Sequence, residues 1–213
     1  MGKFVELTGP IKDGDPTMPM DPKYSIVWHC NLDNLGYNLS RMTTSTHQGT
    51  HMDAQRHFYY DGETIDQIPL ERLIVKCIKA DLTAKKPQEP ITVEDLLPYE
   101  AKIDEGCSVL LHTGWDKVFP NPDFFGKFPY VTKELADWFV EKKVGLVGMD
   151  MPTPNGTDWS YVHLKMLGEK IVIVEGLNYM ENLPTNEEFR FYTLPLRLDG
   201  RDGSPVRAFA ELQ

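Results

Sequence analysis

Apolar positions along the chain fall into short runs bounded by polar residues or glycine, more often than into helical stripes. Tyr24–Trp28 is rich in β-formers. Leu73–Leu82 (LIVKCIKADL) and Val109–His112 are apolar stretches with polar ends, and Val144–Met149 and Ile171–Val174 read as buried strands. Phe189–Leu198 alternates more openly and contains Pro195, which removes a ladder donor, so the pattern predicts an edge strand or a bulge there. Val206–Leu212 is placed to close a sheet. Two helices stand out. Thr92 can cap a short one beginning VEDLL, with Asp95 favouring its positive end. Thr132 can cap another running through Lys143, in which Leu135, Trp138 and Phe139 recur at helical spacing and should face a core. Strands outnumber helices and their order is mixed. The expected class is α/β, one domain over residues 1–213, with a mixed sheet.

Composition sharpens this picture only at a few points. A chain of 213 residues with 41% hydrophobic and 25% charged residues can bury a real core, so disorder is not the default. The net charge of −10 argues against nucleic acid or an anionic membrane as partner, because both call for a basic surface. It does not argue against an anionic substrate, since a metal ion can reverse the local field. There is no apolar run of about 18 residues and no apolar centre near the start, so neither a spanning helix nor a signal peptide is expected. Cys30, Cys77 and Cys107 are odd in number and widely spaced, which fits neither a disulfide framework nor a zinc ribbon. They read as reduced thiols of a cytoplasmic protein.

The chemistry concentrates in one window. Three of the six histidines, His47, His51 and His57, lie in HQGTHMDAQRH together with Asp53. Imidazoles with a carboxylate suit zinc, manganese or iron. The H-x-x-x-H spacing resembles the helical zinc-protease pattern, but that pattern has Glu directly after the first His as general base. Here Gln48, Gly49 and Thr50 follow, and the last two are poor helix formers. A fully extended chain would hold residues 47 and 51 about 13 Å apart, too far to share one ion at metal–N distances of about 2.1 Å. The chain must bend, and Gly49 is the residue able to do so. Beyond the bend, His51 and Asp53 are two apart and share one face if extended.

The window resembles the signature H-x-G-T-H-x-D-x-P-x-H of the cyclase-like metal-dependent hydrolases, a family that includes bacterial kynurenine formamidases and isatin hydrolases. Further blocks resemble it in the same order: LLHTGWDK (110–117), VGLVGMD (144–150), HLKMLGEKIVIVEGL (163–177) and LPLRLDGRDGSPVRA (194–208). The resemblance implies a β/β/α fold with a barrel-like sheet, a homodimer or larger homo-oligomer, and one or two divalent cations, zinc or manganese. It implies His47, His51 and Asp53 as ligands of a first metal. His57 would help bind a second metal or act beside the activated water, and His163 and Glu175 would join as ligands or catalytic groups. Taken alone, His163 is a structural histidine and Glu175 a surface charge; the register with the family block is what raises them. Two positions depart from the pattern. Gln55 stands in place of the usual Pro, and Val162 where some members have a second His.

The implied reaction is hydrolysis of a small amide or cyclic amide, either an aryl formamide such as N-formylkynurenine or an isatin-like ring. Such a cation can lower the pKa of water from 15.7 to about 7. A nearby imidazole, His57 or His163, would carry a proton to the leaving nitrogen. A lactone or ester hydrolase, a cyclase on the same site, and a non-catalytic metal- or small-molecule-binding protein remain open at this level. Asp150 reads as a strand-end cap, the DGSPVR segment (202–207) as a turn, Arg207 as a structural ion pair, and His29 and His112 have no pattern that assigns a role.

Overall fold

The central apolar runs form four parallel strands. In the computed structural model, which describes residues 2–156, 158 and 160–212, the chain begins with β1 (Lys3–Glu6), β2 (Ser25–Cys30), the single turn α1 (Leu32–Leu35), β3 (Leu39–Thr43) and β4 (His51–Asp53). It continues through β5 (Ile74–Asp81), β6 (Pro90–Ile91), α2 (Val93–Leu96), β7 (Ser108–His112), β8 (Tyr130–Val131), α3 (Lys133–Glu141) and β9 (Leu146–Met149). The last elements are α4 (Tyr161–Gly168), β10 (Val172–Glu175), β11 (Phe189–Pro195) and β12 (Gly203–Leu212). β5, β7, β9 and β10 pair in parallel in that order. Parallel neighbours need crossovers, and the stretches carrying α2, α3 and α4 supply them.

The sheet closes on itself. β10 pairs antiparallel with β4, β4 with the first residues of β12, β12 with β11, and β11 with β5. This makes a mixed, barrel-like ring of seven strands, with β1 added along the far half of β12. β11 therefore lies between two neighbours and is not the edge strand that Pro195 suggested. Pro195 is its last residue, opposite Val206, where the ladder to β5 has already ended. The missing N–H costs nothing there. Helix α3 stops at Glu141, two residues short of Lys143, which takes the left-handed conformation at φ 54°. Leu135 and Phe139 are fully buried as their spacing required, with Trp138 only partly so.

Side-chain alternation divides the core in two. Leu110, Leu146, Val172, Val174, Met52 and Ala208 point into the ring. Their chain neighbours Val109, Leu111, Val147, Met149 and Ile173 point outward, where α3 and α4 cover them with Leu135, Phe139 and Met166. In β10 and β4 this period of two has a direct consequence. Ile173 and Glu175, His51 and Asp53 share the outward face, while Met52 and Val174 fill the ring. The polar residues of the window thus sit outside the barrel, between the sheet and α4.

Candidate metal centre

Gly49 makes the bend that the spacing demanded, at φ +65°, a conformation that glycine adopts without strain. It swings His47 back over the strand that follows. β4 is only three residues long but pairs on both sides, with Glu175 of β10 opposite His51 and Gly203 of β12 opposite Asp53. At Gly203 a side chain would collide with the backbone oxygen of Met52 and the His47 ring, at 2.7 and 2.8 Å, so the ring's seat depends on a residue with no Cβ. The turn Gln55–His57 then brings His57 against His47, with ring centroids 4.0 Å apart. Gln55, where the family pattern has Pro, ties this turn down from its side chain: Nε2 donates to Gly168 O at 3.2 Å, and Oε1 accepts from Glu63 N at 3.0 Å. Val162 points into the apolar core and away from the cluster.

The structure brings all six candidate residues together. His51 Nε2 lies 3.2 Å from Glu175 Oε2 and 3.6 Å from Asp53 Oδ1. His163, more than a hundred residues downstream on α4, places Nε2 3.3 Å from Asp53 Oδ2 and 3.2 Å from Glu175 Oε1. His47 Nδ1 lies 2.8 Å from Asp53 Oδ1. Donor atoms of His47, His51 and Asp53 all lie within 4.8 Å of one another, and so do those of Asp53, His57 and His163. The two sets share Asp53. His51, Asp53, His163 and Glu175 are each at most 5% exposed, whereas His57 is exposed, its side chain 31% accessible.

Three neighbours were not legible in the sequence. Asp202 Oδ2 accepts from His47 Nε2 at 2.6 Å and lies 3.9 Å from His57 Nδ1. Its DGSPVR segment, read from the sequence as a turn, is instead strand from Gly203 onward, and the pairing of Gly203 with Asp53 at the start of β12 gives Asp202 this position. Asn155 contacts His163 Nδ1 through its side-chain amide at 2.6 Å, while its Oδ1 is buried without a partner. Turning the amide over satisfies that oxygen and lets it accept from an Nδ1–H, which directs Nε2 toward the carboxylates. Phe58 stacks on the His163 ring at 4.6 Å. Asp150 closes β9 as a cap, accepting from Thr113 N, Thr113 Oγ1 and Gly114 N. Burial pushes it up to about 7 against those donors. Arg207 pairs with Glu6 at the surface, away from the cluster.

The electrostatics fit a cation. Burial disfavours charge on His47 and His163, yet the carboxylates win. Asp53 and Asp202 raise His47 to about 10, and Asp53 and Glu175 raise His163 to about 9. Asp53 is held well below the usual carboxylate range despite its burial, chiefly by His47. Protons on imidazoles thus balance the buried carboxylates when nothing else does. Asp53 Oδ2 is buried without a geometrically acceptable hydrogen bond, although His163 is close. A buried acceptor with spare lone pairs, among imidazole nitrogens and a second carboxylate, is the donor chemistry that zinc or manganese takes. His57 differs: burial lowers it, outweighing the pull of Asp53, so it stays neutral and able to accept a proton.

His47, His51, His57, His163 and Glu175 line a cavity of about 990 Å³. Its other walls are strongly aromatic, with Phe58, Phe119, Phe124, Phe125 and Phe128 among them.

Residues 5–155 match a family model described as "Putative cyclase". Over 209 residues the chain is 28% identical to a kynurenine formamidase of Erythrobacter litoralis, covering 97% of this chain and 92% of the relative. A solved metal-dependent hydrolase, described as potential and with cyclase activity, is 26% identical and superposes with a TM-score of 0.83 over 100% of this chain and 99% of the other. Isatin hydrolase A from Ralstonia solanacearum, at 22% identity, shares the fold with a TM-score of 0.90, over 99% and 92% of the two chains.

Proposed function

The chain belongs to the cyclase family, and from that premise we propose that it is a metal-dependent hydrolase of a carbon–nitrogen bond other than a peptide bond, acting on a small aryl formamide or isatin-like cyclic amide. The observation that carries this reading is the convergence of buried His51, Asp53, His163 and Glu175, of which His51, His163 and Glu175 line an aromatic-walled cavity. The relatives named kynurenine formamidase and isatin hydrolase support the substrate class.

His47, His51 and Asp53 would hold one divalent cation, zinc or manganese. His163 and Glu175, with Asp53 shared, would complete that site or hold a second ion. The chemistry that such an ion supplies when bound is Lewis acidity, which activates water near neutral pH and polarises an amide carbonyl. The protein supplies the rest. Phe58 and the other phenylalanines bind an aryl group and exclude water. Asn155 and Asp202 orient His163 and His47. Both nitrogens of His163 are engaged, which suits a ligand, so His57 is the proton carrier: it is neutral, faces the cavity, and has Asp202 beside it to stabilise the charged ring as the proton passes to the leaving nitrogen. Three buried, unpaired cysteines accord with a cytoplasmic setting.

The decisive experiment is metal analysis of the purified protein, with turnover of a panel of aryl formamides, cyclic imides and lactones before and after chelation. Activity on the amides should disappear with the metal and return with zinc or manganese. Full amide turnover by metal-free protein defeats the proposal, as does turnover confined to lactones.

A further inference from the structure

Backbone strain singles out one residue of the cavity wall. Among the described residues, five other than glycine take positive φ: Gln88, Lys143, Lys170, Tyr179 and Asn186. The left-handed conformation brings Cβ against the following carbonyl, and a bulky side chain there is a genuine outlier. Tyr179, at φ 58°, is the aromatic member of the set and the one that lines the cavity beside the cluster. It stands four residues after Glu175, the last residue of β10.

The protein commits buried charge to keeping this conformation. Lys79 of β5 lies two residues after the ring-facing Cys77 and is only 3% exposed. A lysine is almost never buried so deeply unless its charge has partners. Its Nζ donates to Met180 O at 3.3 Å and to Leu183 O at 2.8 Å, which fastens both ends of the turn Met180–Asn182. On the other side, Asp116 is 8% exposed, and its Oδ2 accepts from Tyr179 N at 3.3 Å and from Lys117 Nζ at 2.9 Å. Lys117 Nζ also donates to Glu181 at 2.6 Å and lies 5.5 Å from the centre of the Tyr179 ring. Two lysines and an aspartate thus hold the strained backbone, and a cation sits beside the phenol ring.

Glycine takes this backbone freely and asparagine more readily than tyrosine, so local conformation does not explain the residue present. What the strain preserves is the ring and its hydroxyl, and strain of this kind collects at ligand clamps. The hydroxyl makes no hydrogen bond among the described residues. Phe119, Phe124 and Phe125 of the same wall can cover an aryl group but offer nothing to a polar substituent on it. A cation beside the ring draws electron density from the phenol and makes its O–H the better donor. We propose that Tyr179 is a specificity-determining residue, whose hydroxyl donates to an acceptor carried by the substrate's aryl group. The cavity then selects aryl amides with a ring carbonyl or similar acceptor over unsubstituted ones. This inference rests on the hydrolase reading and narrows its substrate class.

Steady-state kinetics of the full-length, metal-loaded protein on formanilide and on ortho-formamidoacetophenone tests this. The readout is the ratio of the two kcat/KM values, compared between the parent and Tyr179→Phe, which keeps the ring and the backbone. Intrinsic differences in reactivity between the two amides cancel in that comparison. Tyr179→Phe should lower the preference for the acetophenone about 5-fold, the worth of one neutral hydrogen bond, chiefly through KM. An equal ratio in the two proteins overturns the inference, and so does a lower melting temperature with the preference intact, which makes Tyr179 structural. If neither amide is turned over, it is the hydrolase reading that fails. Calorimetric binding of the corresponding amines, aniline and ortho-aminoacetophenone, then decides on Tyr179: the same loss of preference supports its role, and unchanged preference overturns it.

Discussion

The face of β4 and β10 and the β2–β3 hairpin break opposite rules. In the first, ionisable side chains are buried; in the second, large apolar side chains stand in water. Burying a carboxylate is costly unless opposite charge and hydrogen bonds offset it, and Asp53 and Glu175 have three imidazoles arranged for that purpose. Exposing tryptophan and leucine costs little in one chain, but contiguous apolar patches on soluble proteins mark sites of contact. The comparison teaches that buried charge needs partners arranged around it, whereas exposed apolar side chains need none within the chain. The two also differ in how firmly the fold holds them. The cluster is fixed by sheet register on both sides of β4, whereas the hairpin's strands pair only with each other among the described residues, with Asp13 Oδ1 accepting from Ile26 N at 2.7 Å.

The largest effect expected is at His51. His51→Ala should lose stoichiometric metal and drop turnover to background, because an open site with few protein ligands cannot spare one. His29→Ala, on the exposed hairpin, should leave both at the parent level. Elemental analysis that finds equal metal in His51→Ala and parent would remove His51 from the ligand set.

Next comes Glu175→Gln. The shape is almost unchanged, so the protein should fold normally, but turnover should fall by about 10²–10⁴-fold, the range for a positioned charged group in proton transfer and charge stabilisation. Steady-state kinetics with a thermal melt as control checks this, and undiminished turnover would return Glu175 to a purely structural part.

A smaller loss is expected at Asp202→Asn, which leaves His47 in place but weakens the partner that orients its ring. Metal affinity should decline about 10–100-fold, the usual consequence of altering an outer partner of a ligating histidine. Competition titration with a chromophoric chelator measures it, and an unchanged affinity would make Asp202 a bystander.

The smallest effect belongs to Asp150→Asn, whose partners are Thr113 and Gly114 and not the cluster. An amide cannot accept as well from the two backbone N–H groups and the hydroxyl that Asp150 satisfies, so unfolding should become easier by about 1–3 kcal/mol with metal content unaltered. Urea denaturation checks it; a loss of metal in this variant would show that the cap and the cluster form one unit.

Much of the fold could be read directly from residue order. The runs at 73–82, 109–112, 144–149 and 171–174 are continuous apolar stretches because parallel strands are covered on both faces, and that local signal survives without tertiary knowledge. β11 could not be placed, because Pro195 reports only on its own N–H and says nothing about which strands flank the rest. β4 could be read only as an extended stretch after the bend, not placed in the sheet: three residues carry no period, and its two partners lie more than a hundred positions away in β10 and β12. For the cluster, spacing alone determined that the chain had to bend at Gly49 and that His51 and Asp53 would share a face. Resemblance in register added His163 and Glu175. What only the tertiary structure decided was the company they keep. Asp202 beside His47, Asn155 beside His163 and the outward orientation of the site follow from closure of the sheet through β4 and β12. The physical reason is range: dihedral preference and periodicity act over a few residues, whereas ring closure and burial bring together side chains whose separation along the chain carries no trace of their contact.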